Sequence, residues 1–265
     1  MPSIAAHYYF GQEIAKRISS VSSEITEIIQ QNMGIFNLGL QGPDLLLYYR
    51  PFVKNKVTKL GAEIHSRPAR DFINYALHNI REVKSNAALG YLLGLTCHFI
   101  LDSSLHGEIN QYAPKLRQHL LLEAEMDRQV IEDNFSCKPH AFKRHLLVKT
   151  TNDKWDFLSL IYPQIQLVQL KECTRSIYFY SKLLLCRGGI KKRLLELAEH
   201  ISGRESPFTA LIVDSKENKD FQPYAKKLVM NMKNITTEGV LAIKNVYEAA
   251  RYALPLSCIF DRSFG

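Results

Sequence analysis

Apolar residues recur at three- and four-residue intervals along most of the chain, the spacing that puts one stripe of side chains on a helix. Residues Ile4 to about Gln30 read as one long amphipathic helix, with Ile14, Ile18, Val21, Ile25 and Ile28 on related turns. A glycine-marked loop is expected from Asn32 to Asp44. Pro68 opens a helix over Ala69 to Val83, at a position where its missing N–H costs nothing. Further helices are expected over Asn86–Ile109, Pro114–Asn134, Pro139–Lys149, Trp155–Val168, Gln169–His200, Gln222–Met232 and Thr236–Ala253. Gly188-Gly189 and the stretch from Gly203 to Asp220 mark junctions. The chain shows no repeat, no low-complexity tract and no Gly/Ser linker, so one all-α domain over residues 1–265 is the expected architecture.

Composition narrows the class. With 46% hydrophobic and 23% charged residues, the 265-residue chain is an ordinary globular one rather than a disordered one. Its net charge of +8 favours anionic partners: nucleic acid, anionic lipid or phosphate esters. The tightest basic run, Lys191-Lys192-Arg193, reads as a solvated helix face. The five cysteines lack paired spacing, which points to reduced thiols. The first 17 residues carry no basic start leading into an apolar core, and no run of about 20 apolar residues appears. A cytoplasmic chain is expected, with peripheral membrane contact or non-classical export left open.

Against this background one helix is chemically unusual. The apolar segment around Ala87–Leu101 runs into His98-Phe-Ile-Leu-Asp102-Ser-Ser-Leu-His106. Positions i, i+4 and i+8 drift about 40° per step, so the three side chains share one side of the helix. Their Cα atoms span roughly 12 Å at 1.5 Å per residue. Metal–ligand bonds of about 2 Å cannot gather all three on one ion. The spacing therefore suggests a row of metals with Asp102 able to bridge. The next helix repeats the pattern in His119-Leu-Leu-Leu-Glu123, with Asp127 one turn on. His7, Asp44 at the end of Gly39-Leu-Gln-Gly-Pro43-Asp44, and His65 are three more candidates by context. His78, His140, His145 and His200 form no comparable cluster.

In this order, His7, Gly42-Pro43-Asp44, His65, His98-x3-Asp102-x3-His106 and His119-x3-Glu123, the chain resembles the zinc-dependent phospholipase C family. Tyr91-Leu-Leu-Gly-Leu-Thr-Cys-His98 is also similar to the N-terminal domain of glycosylphosphatidylinositol-specific phospholipase D. The motifs lie within residues 1–127, and residues 128–265 would complete the helical bundle. The resemblance implies the all-α fold shared by bacterial phospholipases C and P1-type nucleases, with two to three zinc ions in a cleft. It implies one zinc on Asp44, His65, His98 and Asp102, and a second on His106, His119 and Glu123. A third would sit on His7 and Asp102 with the terminal amine and carbonyl of the mature chain, here Pro2 if Met1 is removed.

The implied activity is phosphodiester hydrolysis, most naturally of phospholipids. Asp44 would orient or deprotonate water besides ligating, and Asp127 and Glu63 are candidate outer acceptors for ligand histidines. Tyr8, Tyr9, Phe10, Tyr48 and Tyr49 are candidates for lining a lipid-accepting cleft. Leu45 and Ala62 stand where choline-preferring members carry aromatics, and the step from Asp102 to His106 is four residues where those members have six. A choline preference is therefore not implied. Two other readings stand beside this one: a nuclease on the same scaffold, for which no stacking platform is legible, and a metal-stabilised helical binding protein without turnover.

Overall fold

The computed structural model describes residues 3–149, 155–186, 190–201 and 208–265. Within them the chain forms helices α1 (Ile4–Ile18), α2 (Ser23–Gln31), α3 (Met33–Gly39), α4 (Asp44–Leu47), α5 (Lys56–Ser66), α6 (Ala69–Val83), α7 (Asn86–Tyr112) and α8 (Leu116–Asn134). Helices α9 (Phe157–Ile161), α10 (Leu167–Leu183), α11 (Ile190–Ile201), α12 (Gln222–Asn234) and α13 (Thr236–Tyr252) follow. Two-residue strands β1 (Leu185–Cys186) and β2 (Val213–Asp214) pair in parallel and are the only named strands among the described residues. The fold is all-α, as the apolar periodicity predicts.

Helix α7 is the axis. Helices α1, α2, α3, α6, α9, α12 and α13 all pack against it, and from Ala88 through Asp102 every residue is buried. It is long and apolar enough to cross a membrane, but the surrounding helices cover it, as they would the core helix of a globular bundle. Its start is fixed by Ser85, whose hydroxyl accepts from the Ala88 N–H.

Several boundaries differ from the expected ones for identifiable reasons. The first long helix is two. The Ser19 and Ser20 hydroxyls turn back to the Lys16 and Arg17 carbonyls, while Ser22 caps α2 through the Ile25 N–H. The expected loop at 32–44 contains α3, because its glycines serve packing as well as turning. A Cβ on Gly39 would lie 2.2 Å from the Tyr91 carbonyl oxygen, and one on Gly94 would lie 2.2 Å from that of Phe36. The α3 and α7 backbones thus touch where neither carries a side chain. Helix α5 was not expected; Asn55 starts it by accepting from the Val57 and Thr58 N–H groups. The segment expected as a helix at 139–149 is two 3-10 turns, Pro139–Ala141 and Arg144–Val148. Residues 155–168 hold the short α9 and the start of α10, and α10 ends at Leu183 instead of running to His200. Gly188, Gly189 and residues 203–207 lie outside the described residues.

The Lys191-Lys192-Arg193 run is partly engaged: Lys191 donates to the Leu185 carbonyl and Lys192 pairs with Asp214 at 2.8 Å. Four cysteines are free thiols, with Cys97 and Cys173 buried, Cys137 half-buried and Cys258 exposed. One contiguous hydrophobic cluster runs from Ile4 to Phe264.

A buried ion pair ties the first helix to the rest. Asp127 on α8 accepts from the Ala6 N–H at 2.9 Å and from Arg144 at 3.1 Å, and both charged side chains are fully buried. Asp127→Ala would strand the Arg144 charge and should cost about 3–5 kcal/mol in chemical denaturation. Gly94→Ala should cost about 1–3 kcal/mol through overpacking against α3. A loss below half a kcal/mol in either variant would contradict these contacts.

Candidate metal centre

Three elements that are far apart in sequence meet the chemistry-bearing side of α7. Helix α1 brings His7, the 40–43 turn and α4 bring Asp44, and α5 brings His65. Helix α8 runs back along the far end of α7 with His119 and Glu123. All eight of the ligand-type residues come together in three adjoining groups. His7, His98 and Asp102 form one, Asp44, His65 and His98 a second, and His106, His119 and Glu123 a third. Within each group the donor atoms lie within 4.8 Å of one another, close enough to close on one cation.

The distances show how the groups are arranged. Asp102 Oδ1 is 3.2 Å from His7 Nε2, and its Oδ2 is 3.1 Å from His98 Nε2. The two oxygens of one carboxylate therefore address two different imidazoles. Asp44 Oδ1 lies 3.0 Å from His65 Nε2. At the other end Glu123 Oε1 is 3.2 Å from His119 Nε2 and 3.8 Å from His106 Nε2. The rings of His7 and His98 stack at 4.2 Å, and those of His106 and His119 at 5.3 Å.

Nε2 faces the carboxylates because Nδ1 is engaged elsewhere in four of the five rings. His65 Nδ1 meets the Gly61 carbonyl at 2.7 Å, His98 Nδ1 that of Leu40 at 3.2 Å, and His106 Nδ1 that of Asp102 at 3.0 Å. His119 Nδ1 meets Asn110 Oδ1 at 3.1 Å. An acceptor at Nδ1 fixes both the ring and its tautomer and leaves Nε2 free to ligate. Neither Asp127 nor Glu63 supplies such an acceptor. Asp127 holds the α1 backbone one residue before His7, and Glu63 pairs with Lys59 at 3.5 Å. Pro2 lies outside the described residues.

Three further supports were not visible in the sequence. Gly42 has φ +49°, and a Cβ there would strike the His98 ring at 2.4 Å, so the turn requires glycine twice over. The Gly42 carbonyl accepts from the buried Tyr162 hydroxyl at 3.1 Å, with the Tyr91 hydroxyl 3.3 Å away. From the chain's other end, Phe264 packs on His65 and His98 with ring centroids 5.7 and 6.0 Å away. A Cβ on Gly265 would touch the His106 ring at 2.4 Å.

The electrostatics suit ligation. Burial opposes ionisation of Asp44, but His65 and His98 hold its carboxyl well below the ordinary carboxylate range. Asp102 is likewise depressed against its burial by His98, His106 and His7, and Glu123 by His119 and His106. Burial pushes His98 down, towards the neutral form that binds metal. The buried Nε2 atoms of His65 and His98 and Oδ2 of Asp102 make no hydrogen bond among the described residues. Buried polar atoms left in this way, converging at contact distance, are what a bound cation would satisfy.

Beside the third group a cleft of about 450 Å³ opens to solvent, lined by the buried or half-buried His65, His106, His119 and Leu47 and by the exposed Ala62, Asn110, Pro114 and Leu116. The five aromatic candidates do not line it. Tyr8 and Tyr9 pack on Phe135, Phe10 is core, and Tyr48 stacks towards Tyr180, with Tyr49 buried beside it in sequence. His140 meets Ser215 and His145 lies edge-on to Tyr178, both outside the three groups, as are His78 and His200.

No curated protein sequence and no solved structure matches the chain. The sequence profile of the family described as zinc dependent phospholipase C matches residues 6–169. That stretch covers more than half of the chain and contains every residue of the three ligand groups. With the profile matching more than half of its length, the chain belongs to the zinc-dependent phospholipase C family.

Proposed function

We propose that the protein is a zinc-dependent phosphodiester hydrolase of the phospholipase C type. The observation that carries the reading is the adjacency of three ligand groups, two of them sharing His98, from which His65, His106 and His119 reach an open cleft. The contiguous core from Ile4 to Phe264 supports residues 1–265 acting as one domain around that site.

Asp44, His65, His98 and Asp102 would hold one zinc, His106, His119 and Glu123 a second, and His7 with Asp102 a third. Bound zinc supplies Lewis-acid polarisation of phosphoryl oxygens and lowers the pKa of water. Asp44, besides holding zinc, would orient the attacking water and take up its proton. The Gly42 turn, braced by Tyr162, keeps Asp44 against His65 so that no reorganisation is needed when the water is activated. In-line attack on phosphorus would break the P–O bond to the leaving alcohol, whose oxygen takes a proton as it departs through the open cleft. The apolar part of the lining favours a phospholipid over a nucleic acid as the phosphodiester: Leu47, Ala62 and Leu116 offer no flat ring on which a base would stack.

Elemental mass spectrometry on protein purified without chelator or a histidine tag should find two to three zinc per chain. Protein that holds no metal and takes up none on adding zinc would overturn the reading. Stripping the metal with a chelator should lower Tm by more than about 5 °C, and adding zinc back should restore it. Asp44→Asn should reduce turnover of a water-soluble phosphodiester at least about a hundredfold while keeping the helical circular dichroism. Turnover within twofold of the unsubstituted protein would remove Asp44 from the chemistry.

A further inference from the structure

The mouth of the cleft has a composition that the ligand set does not explain. On the α7–α8 side it is bordered by the segment Pro114-Lys115-Leu116-Arg117, which ends the α7–α8 connection and opens α8, and whose four residues are all exposed. Pro114 and Leu116 line the same cleft as His106 and His119. Leu116 presents 60% of its surface to solvent, one of the more exposed large apolar side chains described. It stands between two cations. Lys115 is exposed, and the Arg117 guanidinium, 58% exposed, has Glu199 at 3.9 Å, too far for a tight pair. Across the cleft the rim continues with Leu47 and the exposed Ala62. Lys59, three residues before Ala62 and so on the same side of α5, is also exposed, its ammonium 3.5 Å from Glu63. No carboxylate is among the residues lining the cleft.

A mouth whose exposed residues are apolar apart from Asn110, with cations beside them and buried histidines within, is poorly suited to a fully hydrated substrate, because an exposed Leu gains nothing from a polar ligand. It suits an amphiphile presented in a sheet. Leu116 enters the acyl boundary, Lys115 and Arg117 stay at headgroup level against anionic charge, and the opening faces the lipid that is to be drawn in. Resting on the phospholipid reading above, we infer that the Pro114–Arg117 segment is a membrane-docking edge that seats the cleft on an anionic bilayer. The charge complementarity names the partner: a bilayer surface containing anionic lipid, with the metal centre opening towards it.

The test is co-sedimentation of the full-length, zinc-loaded protein with phosphatidylcholine vesicles, with and without about a third phosphatidylserine. The anionic vesicles should bind at least about tenfold more protein than the neutral ones. Leu116→Asp should lower that binding at least about tenfold, the loss expected for one buried Leu. The double variant Lys115→Glu, Arg117→Glu should lower it roughly thirtyfold or more, about fivefold for each cation removed. Zinc content should stay at the unsubstituted level in both, which shows that the fold and the metal centre survive. No vesicle binding, or binding unchanged in both variants, overturns the proposal. So does tighter binding of a duplex oligonucleotide than of vesicles through the same two cations. Sedimentation reads docking without turnover, and hydrolysis of a water-soluble phosphodiester reads the hydrolase activity without docking. A protein that hydrolyses but does not dock would sink only this inference. One that docks through Leu116 but hydrolyses nothing would sink only the hydrolase.

Discussion

Burial of ionisable side chains along α7 is the constraint on which the structure turns. His98 is fully buried, and Asp102 and His106 are nearly so, on a helix whose other faces are apolar. Taking such groups out of water is costly unless each is paired or metallated. The protein meets part of the cost by setting groups of opposite polarity against one another around α7, and leaves the rest for a bound cation to satisfy. His7 and His98 share Asp102, His65 takes Asp44, and His106 and His119 face Glu123. Of these, an isolated α7 would offer only the His98–Asp102 contact. The helices that bring the other partners are therefore as necessary to the polar row as they are to the hydrophobic core.

Positioning falls largely to the backbone. Imidazole rings are steered by the carbonyls of Leu40, Gly61 and Asp102, so each ring's aim depends on the path of a main-chain segment rather than on another titratable group. The close contact of α3 and α7 at Gly39 and Gly94 sets the height of the turn that follows, and Gly42 lies directly on the His98 ring. Tyr162 and Tyr91 then hold the Gly42 carbonyl from beneath. A packing contact between two helices is in this way transmitted, within a few residues, to the carboxylate of Asp44.

Legibility in the sequence followed the range of the interaction. The i, i+4, i+8 set on α7 and the His119–Glu123 pair are local, so helical periodicity alone puts each on one face and makes Asp102 the natural bridge. His7, Asp44 and His65 reach the same place only through tertiary packing, and nothing but the family resemblance pointed to them. Gly42 does lie in a turn, but Gly39 also read as loop, because composition does not distinguish a glycine that breaks a helix from one that lets two backbones touch. The acceptors behind the histidines were sought among carboxylates, yet three of them are backbone carbonyls, which any residue carries and no motif marks. Phe264 and Gly265 were out of reach for a related reason: a contact across about 160 residues leaves no trace in spacing.

The three groups are unequal, and the inequality gives the site a direction. His98 belongs to two of them, but its single available Nε2 can serve one cation, whereas the two oxygens of Asp102 already point to different imidazoles. Two ions at that end would therefore have to be joined through the carboxylate rather than through the ring. Most of this end is buried and walled by Phe264, with His65 alone of its ligands reaching the cleft. The opposite group is the more open one, its His119 side chain 13% exposed and facing the cleft. On the function proposed above, a phosphodiester would enter over His106 and His119 with its phosphorus towards Asp44, and the leaving alcohol with any chain attached to it would stay at the mouth, beside Leu116.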